Sequence, residues 1–284
     1  MSSRAALAGN PSDGYGGAVV SMMVPTFQAS ARLVTVGDAS APIPIVASTI
    51  ARCARDLGVD PATVVTVESN IPRSVGLAGS SAIVIATIRA LEEGFGLALT
   101  PEEVADLAYR VEREDLGIAG GWQDQIVQSH GTTGLMEFGG ESITHRRLVI
   151  PEGPDIPMFV AWSERDSEAS GESHAALQAR RESSLLRNIM AELADCARAA
   201  AAAIERRDVH AVKEAMGRTF TLRCEVMEVS APHRLAVERA GAHGAVANVT
   251  GSGGAVVGVM PKDDQAFSDE MRRDGYDVVA LTLQ

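Results

Sequence analysis

Aromatic residues are scarce in this 284-residue chain, at 4%, and lysine is almost missing, with only Lys213 and Lys262 present. Cysteine is equally sparse. Cys53, Cys196 and Cys224 form an odd, widely spaced set that matches neither a disulfide framework nor a zinc pattern. Each therefore reads as a small buried side chain. No apolar run approaches the roughly 20 residues that a membrane-spanning helix needs. Basic residues are outnumbered 37 to 25, and the net charge of −12 argues against nucleic acid, because phosphate contacts need a basic face. The six histidines show no metal-ligand spacing. The first residues, Met1-Ser2-Ser3-Arg4, lead into a turn-rich stretch rather than an apolar signal segment. These absences predict a cytoplasmic protein that takes neither nucleic acid nor a membrane as partner; they leave open whether it is a monomer or a homodimer.

What is present is a chain that is 46% hydrophobic and long enough to bury a sizeable core. Short apolar runs, some of them rich in β-branched residues, predict strands at 5–8, 18–24, 29–36, 64–68, 134–138, 158–162, 245–249, 255–260 and 277–281. Apolar periodicity predicts helices at 45–57, 80–95, 123–129, 209–227, 233–240 and 263–274, with further helix within 173–206. One more helix starts at Thr100-Pro101-Glu102-Glu103, where Thr is the N-cap, Pro takes the first helical position and Glu103 closes a capping box. It is expected to run to about Asp115. The order is that of an α+β protein. A turn-rich linker at Pro151-Glu152-Gly153-Pro154 predicts two domains, 1–152 and 153–284.

Three glycine loops carry the chemistry. The second, Gly76-Leu77-Ala78-Gly79-Ser80-Ser81-Ala82, comes after a strand and Pro72 and opens an apolar helix. Small residues there let a ligand approach the backbone, and free N–H groups at a helix start attract phosphate. Ser80 and Ser81 add hydroxyls for a phosphate oxygen or Mg²⁺. The string is not a Walker A loop, since no Gly-Lys-Ser/Thr occurs. The first loop, residues 9–17, contains Asp13 and Tyr15 and follows Arg4; the third holds Gly251, Ser252, Gly253 and Gly254 between two strands.

With these three loops in this order, the chain resembles the GHMP kinase superfamily over essentially its whole length. Within that superfamily the strings Gly9-Asn10-Pro11-Ser12-Asp13, Asn70-Ile71-Pro72-Arg73 and Thr250-Gly251-Ser252-Gly253-Gly254 resemble the glucuronokinase branch. Residues 112–138, with Gln123-Asp124-Gln125, also look like kinases acting on heptose 7-phosphate. The resemblance implies an N-terminal domain like domain 2 of ribosomal protein S5 and a C-terminal ferredoxin-like α/β sandwich. It implies ATP and Mg²⁺ as cofactors and phosphoryl transfer to a sugar hydroxyl, with D-glucuronate as acceptor. Heptose 7-phosphate, a galactose-type sugar, a mevalonate-like alcohol, or a fold that has lost catalysis are the alternatives.

Carried over residue by residue, the resemblance makes Asp124 the carboxylate at the acceptor hydroxyl and Arg4 the cation that balances developing charge. The loop from Pro72 to Ala82 (Gly76, Leu77, Ala78, Gly79, Ser80 and Ser81) would cradle phosphate. Asp13 and Tyr15, with Gly251, Ser252, Gly253 and Gly254, would meet the substrate. Ser81 would bind Mg²⁺ with a carboxylate partner. Glu112, twelve residues before Asp124, is chosen, but the glucuronokinase pattern is one residue shorter here and keeps Glu114 and Asp115 open. On a regular helix Glu112 and Asp115 share a face. Arg73 is the candidate cation for a substrate carboxylate. Two departures stand out: Ala78, which calls for negative φ and a reshaped loop, and Thr132-Thr133 in place of a glycine pair. Trp122 reads as sugar-pocket wall or plain packing. Arg180-Arg181 and Arg206-Arg207 read as solvated helix faces.

Overall fold

The computed structural model describes residues 1–35, 43–118, 120–163, 177, 179, 180, 183–251 and 254–283. In chain order these form β1 (Ser2–Ala8), β2 (Ala18–Val34), α1 (Pro44–Leu57), β3 (Val64–Ser69), α2 (Gly79–Phe95), α3 (Pro101–Arg110) with a π-helical turn (Val111–Asp115), and α4 (Gln123–His130). Then come β4 (Gly134–Glu137), β5 (Thr144–Arg147), β6 (Pro157–Trp162), α5 (Ser184–Glu205), α6 (Val209–Val226), α7 (Ala231–Ala242), β7 (Val246–Val249), β8 (Ala255–Val259), α8 (Asp264–Arg273) and β9 (Asp277–Thr282). The expected helix within 173–206 lies partly outside the described residues.

Two compact units divide the chain, each assembled from several stretches: residues 1–4, 23–72 and 78–131 in one, and 5–22, 73–77 and 132–284 in the other. In the first unit β3 pairs antiparallel with the second part of β2, from Ala29↔Ser69 to Val34↔Val64. Helices α1, α2 and α3 share one core built on Val46, Ile50, Val84, Ile85, Ile88, Leu91, Val104 and Leu107. Helix α2 is apolar nearly all round because it is buried nearly all round. The Thr100 capping box forms in full: Thr100 Oγ1 accepts from the Glu103 N–H, and Glu103 Oε2 accepts from the Thr100 N–H at 2.8 Å.

In the second unit β4 pairs with the first part of β2, and β5 with β4. The sequence predicted two strands at 18–24 and 29–36; the structure has one. Pro25 is tolerated inside it because it falls between the stretch that pairs β4 (18–21) and the stretch that pairs β3 (29–34). The other sheet has the antiparallel order β7-β8-β6-β9. With α8 between β8 and β9 this is the ferredoxin-like arrangement. Its core gathers Phe159, Ala236, Val256, Phe267 and Met271, with the Phe159 and Phe267 rings edge to face at 4.7 Å.

Smaller expectations fare unevenly. Cys53 and Cys196 are buried and Cys224 is half-buried. Burial pushes the Cys53 thiol up to about 12, so it stays a protonated core side chain. Arg207 is no solvated helix residue. It ends α5 in a left-handed conformation (φ 54°), and its guanidinium donates to the Pro151 and Pro154 carbonyls, closing the linker turn. Arg181 lies outside the described residues. No helix among the described residues is long and apolar enough to cross a membrane.

Candidate active site

In the first unit two polar groups form on adjacent residues of α4. Trp122, stacked on Tyr109 at 3.7 Å, is the N-cap of α4, so its ring packs and fixes the start of the helix. Asp124 therefore falls in the first helical turn, where the peptide dipoles favour a carboxylate. Arg4 Nε donates to its Oδ1 at 2.7 Å. The Arg4 side chain is 3% exposed in strand β1 and that of Asp124 is 24% exposed, so the guanidinium is sequestered while the carboxylate stays reachable.

Next to Asp124, Gln125 joins a second group. Ser81 Oγ, in the first turn of α2, donates to Glu112 Oε2 at 2.8 Å, and Gln125 Nε2 donates to the same oxygen. Glu112 is buried, which pushes its carboxyl above the ordinary range. Hydrogen bonds from Ser80, Ser81 and Gln125 act against that rise, and the Asp124 charge adds to it.

The π-helical turn explains why Glu112 arrives here alone. An expected regular helix would put Asp115 on the same face; the wider turn separates them. Glu114 and Asp115 instead pair with Arg52, each at 2.8 Å, and Asp115 also with Arg55. Gln128, fully buried, donates from Nε2 to the Ser2 and Ala78 carbonyls at 3.0 and 3.2 Å, tying β1 to the start of α2.

Ala78 overturns an expectation. It holds φ 57° and ψ 42°, the left-handed region, as the N-cap of α2. Gln128 and the Ala82 N–H both bind its carbonyl and hold it there. Left-handed backbone costs an alanine about 1–2 kcal/mol, and glycine gives back about half of that through its freer unfolded chain. Ala78→Gly is therefore expected to raise Tm by about 1–3 °C. Thermal unfolding checks this; a lower Tm would mean that the conformation carries no strain.

In the second unit the three glycine loops meet. Thr250 Oγ1 donates to the Gly76 carbonyl at 2.8 Å, and a Cβ on Gly251 would lie 2.8 Å from that same oxygen, so only glycine allows the third loop to rest on the second. Gly9, at φ 94°, is packed as tightly: a Cβ there would sit 2.2 Å from the Ala18 carbonyl oxygen. Asn10 Nδ2 reaches the Val249 carbonyl at 3.1 Å, and Asn248 Nδ2 reaches Asn10 Oδ1 at 3.1 Å. Arg223 of α6 completes the join. Asp13 is half-buried in the turn of the first loop. Tyr15 donates its hydroxyl to the Leu177 carbonyl at 2.9 Å. Leu77 is buried, Arg73 and Ser80 are exposed, and Ser252 and Gly253 lie outside the described residues.

A family model described as the GHMP kinases N terminal domain matches residues 44–132. The probable glucuronokinase 2 of Arabidopsis thaliana is 33% identical over 76% of this chain and 63% of its own length. The chain is thus similar to GHMP kinases, over residues 44–132 by the family model and over the stretch it shares with the plant relative. The D-glycero-alpha-D-manno-heptose 7-phosphate kinase of Campylobacter jejuni is 43% identical over 29% of this chain and 23% of its own length. Among solved structures, Streptococcus pneumoniae phosphomevalonate kinase aligns over 99% of this chain and 98% of its own length at a TM-score of 0.81 and 14% identity, a likeness of fold. This chain thus spans less than two thirds of the plant relative.

The donor set around Glu112 suits Mg²⁺. Glu112, Ser81 and Gln125 offer only hard oxygens, and Gln125 Oε1 is buried with no hydrogen-bond partner among the described residues. Among the described residues no group of three His, Cys, Asp or Glu side chains is placed to hold a metal ion. An ion here would draw most of its ligands from phosphate and water, as Mg²⁺ does. The structure brings Arg4 to Asp124, and Ser81 to Glu112. The sequence reading missed Gln128 and Arg223; Arg223 leaves a signal, falling in helical register with the apolar Val212, Ala215, Met216, Leu222 and Val226, whereas α4 is too polar for Gln128 to stand out.

Proposed function

We propose that this chain transfers the γ-phosphoryl group of Mg-ATP to the anomeric hydroxyl of a sugar acid, with D-glucuronate as acceptor and its 1-phosphate as product. The observation that carries the kinase reading is the pairing of buried Arg4 with reachable Asp124, one residue from the Ser81–Glu112–Gln125 group. The glucuronate assignment leans on the plant relative. The heptose phosphate kinase, 43% identical over 82 residues, supports a second reading in which the acceptor is a phosphorylated heptose.

In this reading Asp124 accepts a hydrogen bond from the acceptor hydroxyl and takes its proton as the oxygen attacks phosphorus. The new O–P bond forms as the bond to the β-phosphate oxygen breaks, and ADP leaves. Arg4 holds Asp124 in orientation. The N–H groups at the start of α2 and the Ser80 hydroxyl hold phosphate oxygens; Ser81 and Glu112 hold Mg²⁺, which neutralises phosphate charge. Asp13, Tyr15 and residues 251–254 take the sugar, and Arg73 its carboxylate. The division at 152/153 into an N-terminal ATP-binding domain and a C-terminal domain belongs to the same reading; the family match lies inside the first. With two lysines in the chain, the anions fall to backbone N–H groups, Mg²⁺ and arginine.

ADP release measured across D-glucuronate, D-galacturonate, D-galactose, heptose 7-phosphate and mevalonate tests this. The highest kcat/KM is expected with D-glucuronate. Turnover of neutral sugars only would overturn the acceptor assignment, and no ADP with any acceptor would overturn the kinase reading.

A further inference from the structure

Among the described residues, the mechanism above leaves the buried charge of Arg223 unused. Arg223 lies on the inward face of α6 with Thr219, Leu222 and Val226, and it is 3% exposed. A guanidinium buried this deeply is costly unless its N–H groups meet fixed acceptors. Two of these acceptors are main-chain oxygens from opposite ends of the sequence. Arg223 Nη1 donates to the Asn10 carbonyl at 3.4 Å, in the first glycine loop, and Nη2 to the Gly251 carbonyl at 3.0 Å, in the third.

The surrounding contacts run the same way. Asn248 Nδ2 donates to Asn10 Oδ1 and to the Leu7 carbonyl, and Thr250 carries the third loop onto Gly76 of the second. The planar fork of arginine can address two carbonyls in different directions at once, whereas a lysine ammonium on a flexible stem cannot hold both in fixed geometry. All of these partners belong to the second unit.

We propose that Arg223 is a positioning residue: a clasp that locks the first and third glycine loops into one rigid body, and through Thr250 the Gly76 turn as well. It does not touch the reacting atoms. It fixes the frame on which Asp13, Tyr15 and Gly251 are held, and a displacement of about 1 Å in such a frame can cost about 100-fold in rate. The effect on turnover rests on the kinase reading given above; the clasp itself does not.

Arg223→Lys and Arg223→Met, followed by hydrogen exchange and kinetics, test it. Exchange is expected to quicken about 10-fold or more at residues 9–17 and 248–254, while α5 and β6 keep wild-type protection. The Michaelis constant for the acceptor is expected to rise about 10-fold with a smaller change in kcat, and lysine is expected to restore neither. Wild-type exchange in both loops would overturn the clasp. So would an acceleration spread evenly over α5, β6 and the loops, which would make Arg223 an ordinary core residue. If wild-type protein phosphorylates none of the acceptors, the kinase reading falls, and the exchange pattern still decides the clasp.

Discussion

Replacing Asp124 by asparagine is expected to lower kcat by about 10²–10⁴-fold, the usual worth of a positioned proton acceptor. The substitution is nearly isosteric. The amide oxygen can still accept the 2.7 Å hydrogen bond from Arg4 Nε, so the local geometry survives while the negative charge and the basic oxygen are lost. The structural cost is separable. Arg4 is left in a buried place without its counter-charge, and breaking a fully buried pair costs about 3–5 kcal/mol. Asp124, however, is 24% exposed, so water can reach the site and the loss is expected to be nearer 1–2 kcal/mol. A KM for ATP close to wild type, a slightly lower Tm and a collapsed kcat together identify a catalytic loss. A kcat within a factor of ten of wild type, as in a protein where Asp124 only anchors Arg4, would remove Asp124 from the mechanism.

Much of the scaffold was legible because it is local. The Thr100-Pro101-Glu102-Glu103 start, the apolar run of α2, and the strand–loop–strand around Gly251 follow from capping chemistry, periodicity and turn residues. What was not legible depends on partners distant in sequence. Strand β5 is Thr-His-Arg-Arg, mostly exposed, and exists because β4 pairs with it. The π-helical turn that turns Glu112 inward and leaves Asp115 to Arg52 has no marker in Val-Glu-Arg-Glu-Asp. Ala78 adopts a conformation its side chain disfavours, because Gln128, fifty residues away, holds its carbonyl. The glycine loops were visible as three separate turns; that they meet through Thr250 and Arg223 was not. Asp124 and Arg4 could be singled out only by resemblance, since an aspartate after a glutamine and an arginine near the terminus have no spacing of their own.

Replacing Glu112 by glutamine is expected to separate function from stability. The carboxylate is 4% exposed and its charge is disfavoured by burial, with Ser80, Ser81 and Gln125 supplying the compensating hydrogen bonds. Glutamine keeps the shape and one oxygen to accept from Ser81. Removing a desolvated charge under those conditions should leave Tm unchanged or raise it. Affinity for the ion should move the other way, because Mg²⁺ at a site with few protein ligands leans on each carboxylate. The Mg²⁺ concentration for half-maximal turnover is expected to rise about 10–100-fold, in line with the loss of a ligand or its support. Direct titration of Mn²⁺ in the presence of a non-hydrolysable ATP analogue should show the same weakening without any turnover. Glu114→Gln is the control, since Glu114 faces Arg52 and should leave both readouts near wild type. If Glu112→Gln lowers Tm and leaves the metal dependence untouched, the carboxylate is a structural tie between α2 and the π-helical turn. If Tm holds while the metal dependence shifts, the chain is keeping a buried charge that its stability does not need, as expected of a group retained for binding.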